Sequence, residues 1–281
     1  FETIPPMPEL PEVEHVVRAL RPVVVGRRIL AAELNLKRIA PGISRPKFNQ
    51  QLKNVVVTGV GRRGKYILFE LDSQALLTTH LRMTGKFVAI PTDNNLPPYA
   101  HVVFYLDNDK RLVFCDMRQF GRMRLIRNPR KLPKELLALA PEPLSENFTE
   151  DYFLKTLSRS HRTLKTLLLD QTRVLGLGNI YAVEALFLAG IHPLKLAHTL
   201  SKPRARKLYQ AIRQVLQEAI DSGSTLRIDL SDGQASYFGS SERFWRVYER
   251  EGEPCVNCGT PIRRIVHAGR STYFCPKCQK K

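Results

Sequence analysis

Apolar residues change their rhythm twice along the chain. Val13, Val16, Val17 and Leu20 recur at helical spacing and predict a first helix over residues 11–21. Runs rich in β-branched and aromatic residues follow at 23–36, 53–60, 65–71, 75–81, 101–106, 111–115 and 122–126, with turn signals such as Asp107-Asn108-Asp109 between them. Many short strands at close spacing predict a β-sandwich or barrel of roughly 120 residues with the first helix packed on it. Pro129, Pro133, Pro141 and Pro143 then mark a linker, and beyond it helical periodicity dominates at 150–157, 163–169, 180–189 and 204–220. In the last of these, Leu208, Ile212, Val215, Leu216 and Ala219 share one face. Residues 222–241 turn polar and Gly/Ser-rich, long enough for a functional loop. A cysteine-bearing segment closes the chain, and no internal repeat is visible.

The pattern predicts an α+β protein divided at 8–128, a linker at 129–144, a helical domain at 145–241 and a cysteine hairpin at 242–281. Residues 1–6 carry no periodicity and precede Met7, so 1–7 are expected to be a leader or an unprocessed extension. Hydrophobic content of 43% is ordinary. No apolar run approaches membrane-spanning length and no signal-peptide pattern is present, which points to a cytoplasmic protein without a membrane partner. Lys and Arg number 44 against 26 Asp and Glu, a net charge of +18, and nucleic acid is the first candidate for a polyanionic partner.

Four of the five cysteines form Cys255-x-x-Cys258 and, after sixteen residues, Cys275-x-x-Cys278. Two such knuckles can wrap one tetrahedral zinc ion with four thiolates and leave no open position, a structural rather than catalytic site; coincidental spacing and an iron–sulfur centre are the alternatives. Arg263, Arg264, His267 and Arg270 lie between the knuckles, on an expected β-hairpin that could enter a duplex groove or simply brace the fold. Cys115, inside an apolar run, is expected to be a buried strand residue.

Gly176-Leu177-Gly178-Asn179 precedes a predicted helix, with Asn179 as expected N-cap and the helix start as a phosphate site. Arg62-Arg63-Gly64-Lys65-Tyr66 reads as a basic turn. Thr79-His80-Leu81-Arg82-Met83-Thr84-Gly85 and Asp116-Met117-Arg118-Gln119-Phe120-Gly121 each set a cation beside a large apolar side chain; these fit ordinary core residues or wedges that enter a base stack. Met7-Pro8-Glu9 begins an ordinary amphipathic helix. If Met7 is removed, it also leaves Pro8 as a secondary amine, an α-amino group of near-neutral pKa, beside a carboxylate.

In order along the chain, Pro-Glu-Leu-Pro-Glu-Val-Glu, Arg-Gly-Lys-Tyr, His-Leu-Arg-Met-Thr-Gly, Asp-x-Arg-x-Phe-Gly, Gly-x-Gly-Asn-Ile-Tyr and the four-cysteine ribbon resemble the formamidopyrimidine-DNA glycosylase family over residues 7–281. The resemblance implies an N-terminal catalytic β-sandwich, a helix-two-turns-helix domain and a zinc-finger hairpin, gripping duplex DNA that contains oxidised bases or abasic sites. It implies a monomeric base-excision enzyme that removes 8-oxoguanine and formamidopyrimidines through a Schiff base on Pro8, followed by β,δ-elimination, with one structural zinc and no catalytic cofactor. Glu9 is the implied proton-transfer group, and Lys65 and Arg270 the groups assisting the two eliminations. Met83, Arg118 and Phe120 match the wedge; His80, His101, Lys165 and Asn179 match contacts to the DNA backbone. The loop at 223–238 would close over the flipped base and sets this chain apart from the endonuclease VIII branch, which prefers oxidised pyrimidines. With residues 1–7 attached, the Pro8 nitrogen is a delocalised tertiary amide, and the chain would be a silent damaged-DNA-binding protein.

Overall fold

The computed structural model describes residues 7–128, 130–222 and 245–280; the expected leader at 1–6 and the expected base-covering loop at 223–238 lie outside them. Two compact units are present.

In the first unit α1 (Leu10–Val24) starts on Glu9, whose N–H donates to the Glu12 carboxylate at 3.0 Å, with Pro11 in the opening turn. Its Val13, Val16, Val17, Leu20 and Val24 are buried in the sandwich core. The helix therefore runs past Pro22 to Val24, and the strand expected from residue 23 begins only at Arg28: core burial of Val24 overrides the β preference of the valine run. After β1 (Arg28–Leu34) comes α2 (Arg45–Leu52), then β2 (Val55–Arg63), β3 (Tyr66–Leu71), β4 (Leu76–His80), β5 (Gly85–Pro91), β6 (Ala100–Leu106), β7 (Lys110–Asp116) and β8 (Arg122–Ile126). All pair antiparallel in the order β5-β7-β6-β1-β2-β3-β4-β8. Neither α2 nor β5 was expected: α2 buries only Phe48 and Leu52, and the continuous apolar run of β5 lacks alternation.

β1 and β2 share only two register pairs, Arg28 with Val56 and Ile29 with Val55, and there the sheet folds into two layers. Phe69 of β3 meets Phe87 of β5 across the layers, ring centroids 5.5 Å apart, and Phe87 meets Phe114 at 5.2 Å. The expected β-sandwich with a flanking helix is the observed fold. Cys115 lies with Val88, Val103 and Val113 in a second apolar cluster, and burial pushes its thiol up to about 11.

After a short helix α3 (Lys134–Leu137), the second unit holds α4 (Glu150–Ser158), α5 (Leu164–Leu168), α6 (Asn179–Leu188) and α7 (Lys202–Asp221). α6 is buried on nearly every side, and the Leu208, Ile212, Val215, Leu216 and Ala219 face of α7 is buried as its spacing predicts. The hairpin β9 (Arg263–His267) and β10 (Arg270–Phe274) belongs to this same unit. Ala268 and Gly269 both take positive φ, 49° and 71°, the two-residue turn that matches strand twist. Among the described residues no helix is long and apolar enough to cross a membrane.

Candidate active site and nucleic-acid interface

In the first unit Pro8 and Glu9 are buried at the start of α1. One helical turn further, Glu14 accepts from Arg18 Nε at 3.0 Å and from Arg62 Nε at 3.1 Å. Burial opposes ionisation of Glu14, but Arg62 and then Arg18 outweigh it and hold the carboxyl below its usual range. Arg62 also donates through Nη1 to the Gly64 carbonyl at 3.1 Å. The turn that carries Lys65 is thereby fixed to the helix that Pro8 leads into. Gly64 takes φ 56° there, so the turn needs a residue without Cβ strain.

Lys65 is buried, and Tyr66 beside it pairs with His80 across β3 and β4, their rings 4.8 Å apart edge to face. Burial, then the charges of Arg82 and Lys65, hold the His80 imidazole down at about 3. Its Nδ1 accepts the Arg82 N–H at 3.0 Å, so the proton of this neutral ring sits on Nε2, leaving an uncharged donor suited to an anionic oxygen.

Met83 and the pair Arg118 and Phe120 lie on two turns that the structure brings together. Gly85, the first residue of β5, pairs with Asp116, the last of β7. The buried Asp116 carboxylate accepts from Thr84 Oγ1 with one oxygen and from Gly121 N at 2.6 Å with the other, while Thr84 Oγ1 accepts the Arg118 N–H at 3.1 Å. Phe120 remains 38% exposed, with the Arg118 guanidinium 4.9 Å and that of Arg38 6.0 Å from its ring centroid. Arg122 Nη1 donates to the carbonyls of Gln119, Phe120 and Gly121. The sequence pattern singled out neither Thr84 nor Arg38, and it gave Asp116 no role. A hydrogen bond between residues 32 positions apart leaves no periodic trace. His101 is buried with Nε2 2.9 Å from the Asp116 carbonyl, so Nε2 is its donor into the protein and only Nδ1 remains for another partner.

In the second unit Asn179 is the first helical residue of α6, and Gly178 stands in the N-cap place expected for it. The Gly-rich approach lets the chain enter the helix without a capping side chain, and Asn179 Oδ1 is buried with no hydrogen-bond partner among the described residues. Lys165 on α5 is fully buried; Nζ donates to the Ser271 carbonyl at 2.9 Å and to Thr272 Oγ1 at 2.5 Å. It faces the hairpin, with two of its three donors satisfied inside the protein. Burial and then the charge of Arg270 bring its ammonium down to about 8. Thr163 Oγ1 lies 2.9 Å from His267 Nε2 and makes a second tie. Arg270 is exposed directly after the hairpin tip, whereas Arg263 and Arg264 lie at its base.

The Sγ atoms of Cys255, Cys258, Cys275 and Cys278 all lie within 4.8 Å of one another. The separations are 3.9 Å for Cys255 and Cys278 and 3.5 Å for Cys258 and Cys275. Zn–S bonds of about 2.3 Å in a tetrahedron require sulfurs ~3.8 Å apart, so the cluster fits one zinc ion, and disulfides are excluded. The Cys278 N–H points to Cys275 Sγ at 3.4 Å. Gln279, buried, accepts from Cys275 N at 2.8 Å and donates to the Ile191 carbonyl at 2.9 Å, which fastens the knuckle to the chain after α6.

Three family descriptions match consecutive stretches of the chain. They are the formamidopyrimidine-DNA glycosylase N-terminal domain at 7–123, the formamidopyrimidine-DNA glycosylase H2TH domain at 139–229 and the zinc finger found in FPG and IleRS at 252–281. That order defines a zinc-finger DNA glycosylase. The formamidopyrimidine-DNA glycosylase of Pelotomaculum thermopropionicum is 43% identical over 275 residues, covering 98% of this chain and 99% of its own. That of Bacillus licheniformis is 43% identical over 279 residues, covering 98% and 100%. The Lactococcus lactis Fpg in complex with DNA containing an abasic site superposes with a TM-score of 0.88 at 38% identity, over 97% of this chain and 100% of that one. A MutM in complex with DNA containing carbocyclic 8-oxo-G gives 0.88 at 36%, over 98% and 100%. The chain belongs to the formamidopyrimidine-DNA glycosylase family.

Proposed function

We infer that the protein is a bifunctional DNA glycosylase and abasic-site lyase that removes oxidised purines from duplex DNA. The observation that carries this reading is the similarity along the whole chain to relatives of that name. It is supported by solved relatives holding an abasic site, a Fapy-dG or a carbocyclic 8-oxo-G in DNA, which favours oxidised purines over oxidised pyrimidines.

In this reading Pro8, as a free secondary amine, attacks C1′ of the damaged nucleotide and the base leaves with the C1′–N electron pair. Glu9 delivers a proton to the sugar ring oxygen as the ring opens to an iminium. The iminium acidifies the C2′ proton. Its removal expels the 3′-phosphate, and a second elimination expels the 5′-phosphate. Lys65, fixed to α1 through Arg62 and Glu14, assists the first elimination, and Arg270 holds phosphate for the second. Met83, Arg118 and Phe120 fill the space the nucleotide leaves. His80 donates Nε2–H to a phosphate oxygen, and Asn179 donates its side-chain Nδ2–H to another at the start of α6. His101 contacts the backbone, and Lys165, fully buried, holds the hairpin that carries Arg270. Cys255, Cys258, Cys275 and Cys278 hold the zinc ion that keeps the hairpin folded. The enzyme acts as a monomer on cytoplasmic, nucleoid DNA. The working form starts at Pro8, because in a chain that keeps Met7 this nitrogen is an amide and only binding remains.

The test is incubation of protein starting at Pro8 with duplexes holding 8-oxoguanine, a formamidopyrimidine or an oxidised pyrimidine. Base release from the two purine substrates, with a one-nucleotide gap bearing phosphate at both ends, is the expected result. Release of the pyrimidine alone overturns the substrate assignment.

A further inference from the structure

Two backbone conformations frame the exposed tips of the first unit. Arg82, next to Met83, takes φ 58°, and Gln119, between Arg118 and Phe120, takes φ 59°. Both are non-glycine residues in the left-handed region, a conformation that persists only where the surroundings impose it. What imposes it lies directly behind the tips. A side chain at Gly85 would strike the Leu81 carbonyl, and one at Gly121 would stand 2.7 Å from Phe114 Cζ and 3.0 Å from Asp116 Oδ2, so each turn is pressed onto the sheet at a glycine. One buried carboxylate touches both turns. The Asp116 carboxylate holds Gly121 N with one oxygen and the Thr84 hydroxyl with the other, and Thr84 Oγ1 in turn takes the Arg118 N–H. The Thr84 hydroxyl therefore donates toward one turn's root and accepts from that same turn's tip residue.

We propose that Thr84 and Asp116 are positioning residues, a clasp that makes Met83, Arg118 and Phe120 one rigid wedge and so sets how well the enzyme distinguishes the base opposite the lesion. The inference rests on the glycosylase reading above and adds to it a cause for wedge rigidity. A wedge must be stiffer than the base stack it enters, since unstacking costs a few kcal/mol per step. Without the clasp the backbone at Arg82 and Gln119 can relax toward ordinary φ, and Arg118 loses the fixed N–H that aims it. Discrimination by a side chain against a base edge depends on such aim. The reacting sugar needs no such aim from these turns, because Pro8 sits apart from them, in the segment leading into α1.

The experiment compares wild type with Thr84→Val, which keeps the shape and removes the hydroxyl, and Thr84→Ser, which keeps the hydroxyl, all starting at Pro8. Three readouts are taken: single-turnover excision of 8-oxoguanine opposite C and opposite A, borohydride trapping at a preformed abasic site, and fluorescence of 2-aminopurine placed opposite an abasic analogue as a direct report of wedge entry. For Thr84→Val the excision rate opposite C and the C-over-A ratio should each fall about tenfold, the scale of one hydrogen bond to a charged group. Trapping should fall less than excision, the fluorescence rise should be lost, and Thr84→Ser should restore all of these. An unchanged ratio together with a normal fluorescence rise in Thr84→Val overturns the clasp. So does an equal loss in every readout accompanied by a lowered melting temperature, which would mark a merely structural threonine. Failure of wild type to trap or excise, with fluorescence still responding to Thr84→Val, would remove the glycosylase reading and leave the clasp standing.

Discussion

The turn carrying Arg118 and Phe120 closes an eight-stranded sheet, whereas the turn before Arg270 closes a ribbon of two strands. Behind the first lies a core with Phe69, Phe87 and Phe114 in contact, and a buried carboxylate aligns the tips. Behind the second there is little apolar mass: Val266 on the ribbon is 70% exposed. A two-stranded hairpin is marginal by itself in water. It is held instead by four thiolates at its base and by Lys165 and Thr163 along its side. Both regions carry an arginine proposed to meet DNA, but one is backed by its core and the other by a metal and buried polar ties. Perturbations should therefore separate them.

The largest separation is expected from the metal. Cys258→Ser, or removal of zinc by a chelator, should unfold the hairpin, since structural zinc supplies on the order of 10 kcal/mol to such modules. Affinity for abasic DNA should fall by about a hundredfold or more as Arg270 loses its scaffold. The sandwich should keep its near-ultraviolet dichroism and its melting transition. Normal DNA affinity in zinc-free protein would break the distinction.

Next is Lys165→Met. It leaves the Ser271 carbonyl and Thr272 hydroxyl without their buried donor and should cost about 1–3 kcal/mol in the second unit alone, read by denaturant unfolding. The same residue gives a pH signature. Its folded pKa of about 8 lies below the usual lysine value, so the unfolded chain binds more protons between about 8 and 10.5. Stability of the second unit should rise over that interval, and Lys165→Met should abolish the rise.

An effect of opposite placement is expected in the sandwich. His80, held down at about 3, must stay neutral in the fold, so the unfolded chain binds the extra proton between about 3 and 6.5. Sandwich stability should fall as the pH drops through that window, and His80→Gln should flatten the decline. A His80 ring proton signal titrating near 6.5 in the native protein would contradict the assignment.

Much of this division is legible in the sequence, for reasons that differ by element. The α7 face and the strands β2 and β3 show because burial on one side imposes a period. The cysteine pairs show because tetrahedral coordination fixes their spacing. β5 is buried along most of its length and has no alternation, and α2 has too few apolar residues to show a face, so neither is visible. The site follows the same rule. Met83, Arg118, Phe120 and Arg270 announce themselves as cations or large apolar groups in turns. Thr84 and Asp116 act through hydrogen bonds across strand pairing, and the inward turn of Lys165 depends on where the hairpin docks. Those contacts exist only once the chain is folded.

Pro8 is the proposed reacting amine. Its most direct test is borohydride reduction of protein starting at Pro8 on a duplex containing 8-oxoguanine, followed by peptide mass mapping of the adduct, with protein retaining Met7 in parallel. The expected result is a covalent DNA adduct on the Pro8 peptide and none with the extended protein. An adduct mapped to Lys65 or another lysine, or an equal yield from protein that retains Met7, would contradict it.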